Sequence, residues 1–69
     1  MPVDVRQRLG QNVRRLRKAK GISQEELADL AGVHRTYASD IERGTRNPSI
    51  TVVEQFALAL DVTPGGLLD

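Results

Sequence analysis

Apolar residues recur every three or four positions through most of this 69-residue chain, and no stretch sustains a period of two. Val5, Leu9, Val13 and Leu16 share one face of a helix predicted over about residues 3–20. Lys18 and Lys20 occupy its last turn, where cations suit the carbonyl end of the dipole, and Gly21 is suited to stop it. Ser23 and Glu26 then make a capping box, with Ile22 and Leu27 in the staple positions, so a second helix runs to about residue 31. Gly32 opens a turn that Val33 can plug against the core. A third helix spans about residues 35–43 and ends at Gly44, with Ala38 and Ile41 facing inward. Ala28 and Ala38 are both small where two helices must cross closely. A fourth helix follows Asn47-Pro48, capped by Ser49, with Ile50, Val53, Phe56, Ala57 and Leu60 as its apolar stripe. Phe56, the sole phenylalanine, is predicted at the centre of the core. Thr63 and Pro64 begin a short fifth helix. Gly65 and Gly66 weaken it by about 1 kcal/mol each relative to alanine, leaving Leu67 and Leu68 to hold it down.

Residues 23–44 therefore read as two short helices joined by a tight turn led by glycine. That spacing is a helix-turn-helix, which presents its second helix to a DNA groove. The expected fold is all-α, five helices, one domain over residues 1–69. So small a core supplies only about 3–5 kcal/mol unless something staples it. Cysteine is absent, which removes disulfides and thiolate metal sites, so a homodimer is the expected staple. Its predicted surface is the fifth helix and the end of the fourth, with Leu67, Leu68 and Val52. No apolar run nears the roughly 20 residues that span a bilayer, and the start has no signal-peptide pattern, so a soluble, cytoplasmic protein is expected. One histidine, no cysteine, no phosphate-cradling glycine loop and no metal-ligand spacing argue against an enzyme and call for no cofactor.

The net charge is only +1, but the charge is unevenly spread. Residues 1–22 carry seven basic groups against one acid, residues 23–49 three against five, and residues 50–69 three acids alone. One end could face phosphate while the other stays away; a solvated basic helix is the plainer reading.

The runs Val13-Arg14-Arg15-Leu16-Arg17-Lys18-Ala19-Lys20-Gly21-Ile22-Ser23-Gln24-Glu25-Glu26-Leu27-Ala28 and Ile41-Glu42-Arg43-Gly44-Thr45-Arg46-Asn47-Pro48-Ser49 resemble the Cro/phage-repressor, or xenobiotic-response-element, family of helix-turn-helix DNA-binding domains. The resemblance extends from about residue 9 to residue 68 and implies a lambda-repressor-like fold. Within that family, His34-Arg35-Thr36-Tyr37 and Arg46-Asn47 look most like the small controller proteins of restriction–modification systems. The resemblance implies that Gln24 touches phosphate and braces the recognition helix. It gives Arg35 and Thr36 base-reading positions, Ser39 and Asp40 a second rank one turn on, and Arg43, Arg46 and Asn47 phosphate contacts. It also implies a partly buried ion pair of Arg17 with Glu42. His34 stands where the family usually places Ser, Thr or Asp, and histidine is a poor cap. Ala38 stands where a larger aliphatic is usual, so Tyr37 or Leu30 is expected to fill the space.

Each of these residues has an ordinary alternative. Arg35 can fork onto O6 and N7 of guanine, a contact worth about 1–3 kcal/mol of discrimination, or simply meet phosphate or water. Thr36 can touch a thymine methyl or merely begin its helix. Tyr37 can hydrogen-bond phosphate or pack beside the helix. Asp40 repels phosphate, so it is expected to orient Arg43 or another arginine, or to accept from a cytosine amino group. Gln24, Arg43, Arg46 and Asn47 supply phosphate grip, assisted by helix N-terminal amides. Glu25 and Asp29 form either a solvated acidic face or, as in some family members, a contact for RNA polymerase. The function expected is a sequence-specific regulator of transcription, binding a palindromic double-stranded operator as a homodimer. The alternative is an antitoxin-type protein whose main partner is another protein, although such proteins often carry an extension that this chain, ending at Asp69, does not show.

Overall fold

The computed structural model describes residues 4–69. Five helices follow one another: α1 (Val5–Lys20), α2 (Gln24–Ala31), α3 (Arg35–Arg43), α4 (Ile50–Ala59) and α5 (Pro64–Leu68). Their starts follow from local chemistry. Asp4 caps α1 by accepting from the Arg6 backbone N–H at 2.8 Å; the part of the predicted helix before Asp4 lies outside the described residues. The capping box at Ser23 and Glu26 is formed in both directions. Ser49 and Thr63 cap α4 and α5. Each of α1, α2 and α3 stops at a left-handed glycine, and Gly32 (φ 73°) makes the turn between α2 and α3. The Val33 N–H then returns to the Ala28 carbonyl at 3.0 Å, which directs its side chain back onto the core.

Every helix contributes one large, fully buried side chain to a shared interior: Val13, Leu27, Ile41, Phe56 and Leu67. Ala28 and Ala38 are buried between them, as the close α2–α3 crossing requires. Two residues of the predicted stripes fall outside this core. Val5 is 53% exposed and Ile50 88% exposed. Both sit on the first turn of their helix and at the margin of its apolar stripe, where no neighbouring helix reaches over them. Ala59 is buried instead. Leu30 does not fill in beside Ala38: it is exposed on α2, whereas Tyr37 packs against the core.

Leu67 corrects the expectation for the dimer surface. It is fully buried within its own chain, so only Leu68 of that pair is available outside. The short α5 is held down by α1 as well as by Leu67. The Asn12 side-chain amide donates to the carbonyls of Leu67 and Asp69, both at 2.9 Å, and Arg8 donates to the Leu68 carbonyl at 3.3 Å. These bonds satisfy the carbonyls that end a helix too short to cap itself.

Where α1 crosses the end of α3, Gly10 allows backbone to meet backbone. A methyl group there would stand 2.7 Å from the Glu42 carbonyl oxygen and closer still to that of Ile41. Two turns along the same face, Arg17 reaches Glu42. Its Nε donates to Oε2 at 2.6 Å and its Nη2 to Oε1 at 3.2 Å, with the Glu42 side chain 4% exposed. Arg17 Nη1 also donates to the Ile22 carbonyl. The ion pair implied by the family resemblance is therefore present, and it fixes α3 against α1.

Candidate nucleic-acid interface

The position of α3 follows from this bracing. Its inward residues, Ala38 and Ile41, are buried, so Arg35, Thr36, Ser39, Asp40 and Arg43 lie toward the other side. Gln24, on the first turn of α2, donates from its amide to Glu42 Oε1 at 3.2 Å. That bond joins the start of α2 to the Arg17–Glu42 pair. Gln24, Arg35, Thr36 and Ser39 together line a shallow cleft along the first two turns of α3. Arg35 and Thr36 are exposed in it, which leaves their donors free for base edges or phosphate.

His34 does cap α3. Its Nδ1 accepts from the Thr36 backbone N–H at 3.1 Å, with the backbone extended (φ −72°, ψ 147°). An imidazole nitrogen with a free lone pair does here what an Asp or Asn oxygen does elsewhere, so the expectation of a poor cap is corrected.

A second cluster lies at the far end of α3. Asp40 pairs with Arg43 one turn on and accepts from Arg46 Nε at 3.2 Å. The Arg46 guanidinium stands 4.8 Å over the Tyr37 ring, a favourable cation–π distance. Hydrogen bonds from Arg43, and then from Arg46, hold the Asp40 carboxyl below the usual carboxylate range. The loop is fastened to the same residue, because Thr45 donates from both its backbone N–H and its hydroxyl to the Asp40 carbonyl. Asp40 thus orients arginines, as its charge leads one to expect.

A recognised sequence pattern coincides with this geometry: residues 13–67 match the helix-turn-helix family model. The protein belongs to the helix-turn-helix family. Control protein C.BamHI of Bacillus amyloliquefaciens is 50% identical across the whole of this chain and 86% of its own length. The crystal structure of the restriction–modification controller protein C.AhdI from Aeromonas hydrophila superposes with a TM-score of 0.86 at 47% identity, over 90% of this chain and 94% of that one. The biofilm regulator SinR, solved in complex with DNA, superposes with a TM-score of 0.83 at 47% identity, over 88% of this chain and 98% of that one. The likeness to Cro/phage-repressor domains, and to controller proteins among them, therefore holds.

In this helix-turn-helix protein the predicted site residues form two groups and one outlier. Gln24, Arg35, Thr36 and Ser39 share the cleft; Tyr37, Asp40, Arg43 and Arg46 share the cluster beyond it. Asn47 belongs to neither. It lines an apolar groove with Pro48, Val5, Ile50 and Leu68, between the N-terminal turns of α1 and α4. The basic charge of α1 is also less available than the sequence suggests. Arg17 serves Glu42, Lys20 pairs with Asp61, Arg6 pairs with Asp4, and Arg8 holds the end of α5. Asn12 and Gly10 are the contributors that sequence reading missed. Nothing local marks Asn12, whose partners lie 55 and 57 residues away. Gly10 carried a signal: a glycine inside a strong helix, on the same face as Val13 and Arg17. Among the described residues, no group of acids or histidines is placed to hold a metal ion, and no helix is long and apolar enough to cross a membrane.

Proposed function

We propose that the protein is a sequence-specific, double-stranded-DNA-binding regulator of transcription that lays α3 along the major groove. The observation that carries this reading is the cleft of Gln24, Arg35, Thr36 and Ser39 at the start of α3, with the cationic residues Arg43 and Arg46 following it. Side chains on the first turns of a recognition helix are those that reach base edges, while flanking cations meet phosphate. Arg35 is the principal base reader, by two donors to a guanine. Thr36 and Ser39 read beside it. Tyr37, Asp40, Arg43 and Arg46 set the grip on the backbone, and Asn47 meets phosphate beyond them. The relatives support the same reading, since SinR was solved with DNA and C.AhdI is a controller protein.

The protein works as a homodimer on a palindromic operator, with half-sites about 34–36 Å apart to match two copies of α3. The dimer surface in this reading is the solvent face of α4 with the end of α5. Ile50 and Leu58 on α4 are 88% and 70% exposed, and the partly exposed Leu68 lines a groove with Ile50. An apolar groove shared by two helices is the kind of contiguous surface that a second copy would cover. Glu25 and Asp29, both exposed on α2, are the candidate contact with RNA polymerase. A regulator that binds DNA operators acts where the DNA is, which in this reading is the cytoplasm.

Selection of bound duplexes from a randomised pool tests this directly. The wild type should enrich an inverted repeat, and Arg35→Ala should relax one position in each half-site. Arg46→Ala should weaken all duplexes alike and flatten the salt dependence by about one unit of slope. A pool that is not enriched, or an Arg35→Ala protein that enriches the wild-type sequence, contradicts the proposal.

A further inference from the structure

The cations beside the reading cleft are held by an acid of the same helix. Asp40 is the only carboxylate among the predicted contact residues, and its side chain is 15% exposed beneath the two guanidiniums it holds. Arg43 spends one Nη2 donor on it and Arg46 its Nε. A guanidinium has five N–H donors in a fixed fork, so both arginines keep donors for a phosphate while bound to Asp40. Their direction, however, is set. The Tyr37 ring fixes the plane of Arg46 from one side and Asp40 fixes it from another.

We propose that Asp40 is a specificity-determining clamp: it holds Arg43 and Arg46 in one pose that serves phosphates only where the duplex fits α3, and withholds them elsewhere. The clamp rests on the DNA-recognition reading above. On a fitting site the backbone passes where the held guanidiniums point, and the clamp stays closed. On a misfit duplex the phosphates lie elsewhere, so the arginines must leave Asp40 to follow them. The loss of two ion pairs and a stacking contact then subtracts from binding that carries no base contacts. Discrimination arises from weakening the wrong complex as much as from strengthening the right one.

The test uses the full chain and two probes: a duplex enriched by the wild type from a random pool, and sheared duplex DNA of mixed sequence. Affinity is followed by fluorescence anisotropy across a salt series. Asp40→Asn keeps the shape of the side chain and removes the charge. It should tighten mixed-sequence binding about tenfold, from two exposed ion pairs of ordinary strength, with the salt slope steeper by about one to two units. Binding to the enriched duplex should change less than about threefold. Asp29→Asn removes the same charge from α2 and should not reproduce the effect. Adding Arg43→Gln and Arg46→Gln to Asp40→Asn should abolish the gain. Asp40→Ser provides a second removal of the carboxylate, and circular-dichroism melting verifies that each variant is folded. Equal tightening on both probes, no tightening on mixed DNA, an equal effect of Asp29→Asn, or a gain that survives loss of both arginines overturns the clamp. A wild type that binds both probes equally overturns the recognition reading and the clamp with it; a discriminating wild type with an unchanged Asp40→Asn overturns the clamp alone.

Discussion

Gly10→Ala should destabilise this protein markedly, although the same change in an ordinary helix interior stabilises it by about 1 kcal/mol. The new methyl carbon would stand 2.7 Å from the Glu42 carbonyl oxygen and 3.0 Å from its carbon, against backbone that cannot rotate away. Relaxed carbon–oxygen contacts lie at about 3.3–3.6 Å. The Ile41 carbonyl oxygen would be nearer still, so α1 must retreat from α3 by about 1 Å. That retreat loosens Leu9, Val13 and Ile41 and lengthens the Arg17–Glu42 bonds, now 2.6 and 3.2 Å. Overpacking of this kind costs about 1–3 kcal/mol. Weakening a buried ion pair adds part of the roughly 3–5 kcal/mol that its full loss would cost. After the gain in helix propensity, a net loss of about 2–3 kcal/mol remains, or about 10–20 °C in melting temperature for a chain of this size. Thermal melting by circular dichroism reads it, with Gln11→Ala as the control on the exposed face of the same helix. Gln11→Ala should be neutral or slightly stabilising. A Gly10→Ala protein that melts at or above the wild-type temperature would refute the close crossing and the bracing of α3 derived from it.

Three further outcomes follow from particular contacts. His34→Ala should cost about 1 kcal/mol, or about 4–8 °C of melting temperature, while His34→Asn should retain the wild-type value, since it keeps an acceptor for the Thr36 N–H. Asn12→Ala removes two bonds to the end of α5 and should cost about 1–2 kcal/mol, with hydrogen exchange accelerating at Leu67 and Leu68 before the rest of the core. Acid titration of the melting temperature should show a fall below about pH 4 to which two carboxyls contribute. Asp4, held by Arg6, and Asp40, held by Arg43 and then Arg46, both have folded-state carboxyls below their ordinary values. Their contribution is therefore present above the unfolded pKa of about 3.9 and is lost as pH falls through the folded value, so Asp40→Asn should make the acid fall shallower.

The helix order and most boundaries were legible because local rules decide them. The capping box at Ser23 and Glu26, the caps at Ser49 and Thr63, and the glycine stops at 21, 32 and 44 each act within a few residues. The pairing of Asp40 with arginines is legible from sign alone, because a carboxylate on a helix expected to meet phosphate needs a cationic neighbour. The misses are tertiary. Periodicity names the apolar face of α1 and α4 but not how far the neighbouring helices extend, so it places Val5 and Ile50 in a core they do not enter. The burial of Leu67 depends on α1 and α4 closing over a helix too short to show a pattern of its own. The average habit of histidine makes it a poor cap, whereas at His34 one ring nitrogen placed to accept from Thr36 suffices.

The placement of α3 in the major groove is tested most directly by following backbone amide chemical shifts as a duplex enriched from a random pool is added. The largest changes are predicted at Gln24, Arg35, Thr36, Ser39 and Asp40, extending to Arg43 and Arg46, with α4 and α5 little changed or altered only along the solvent face of a dimer. Changes concentrated on residues 50–68, with the start of α3 silent, would contradict it.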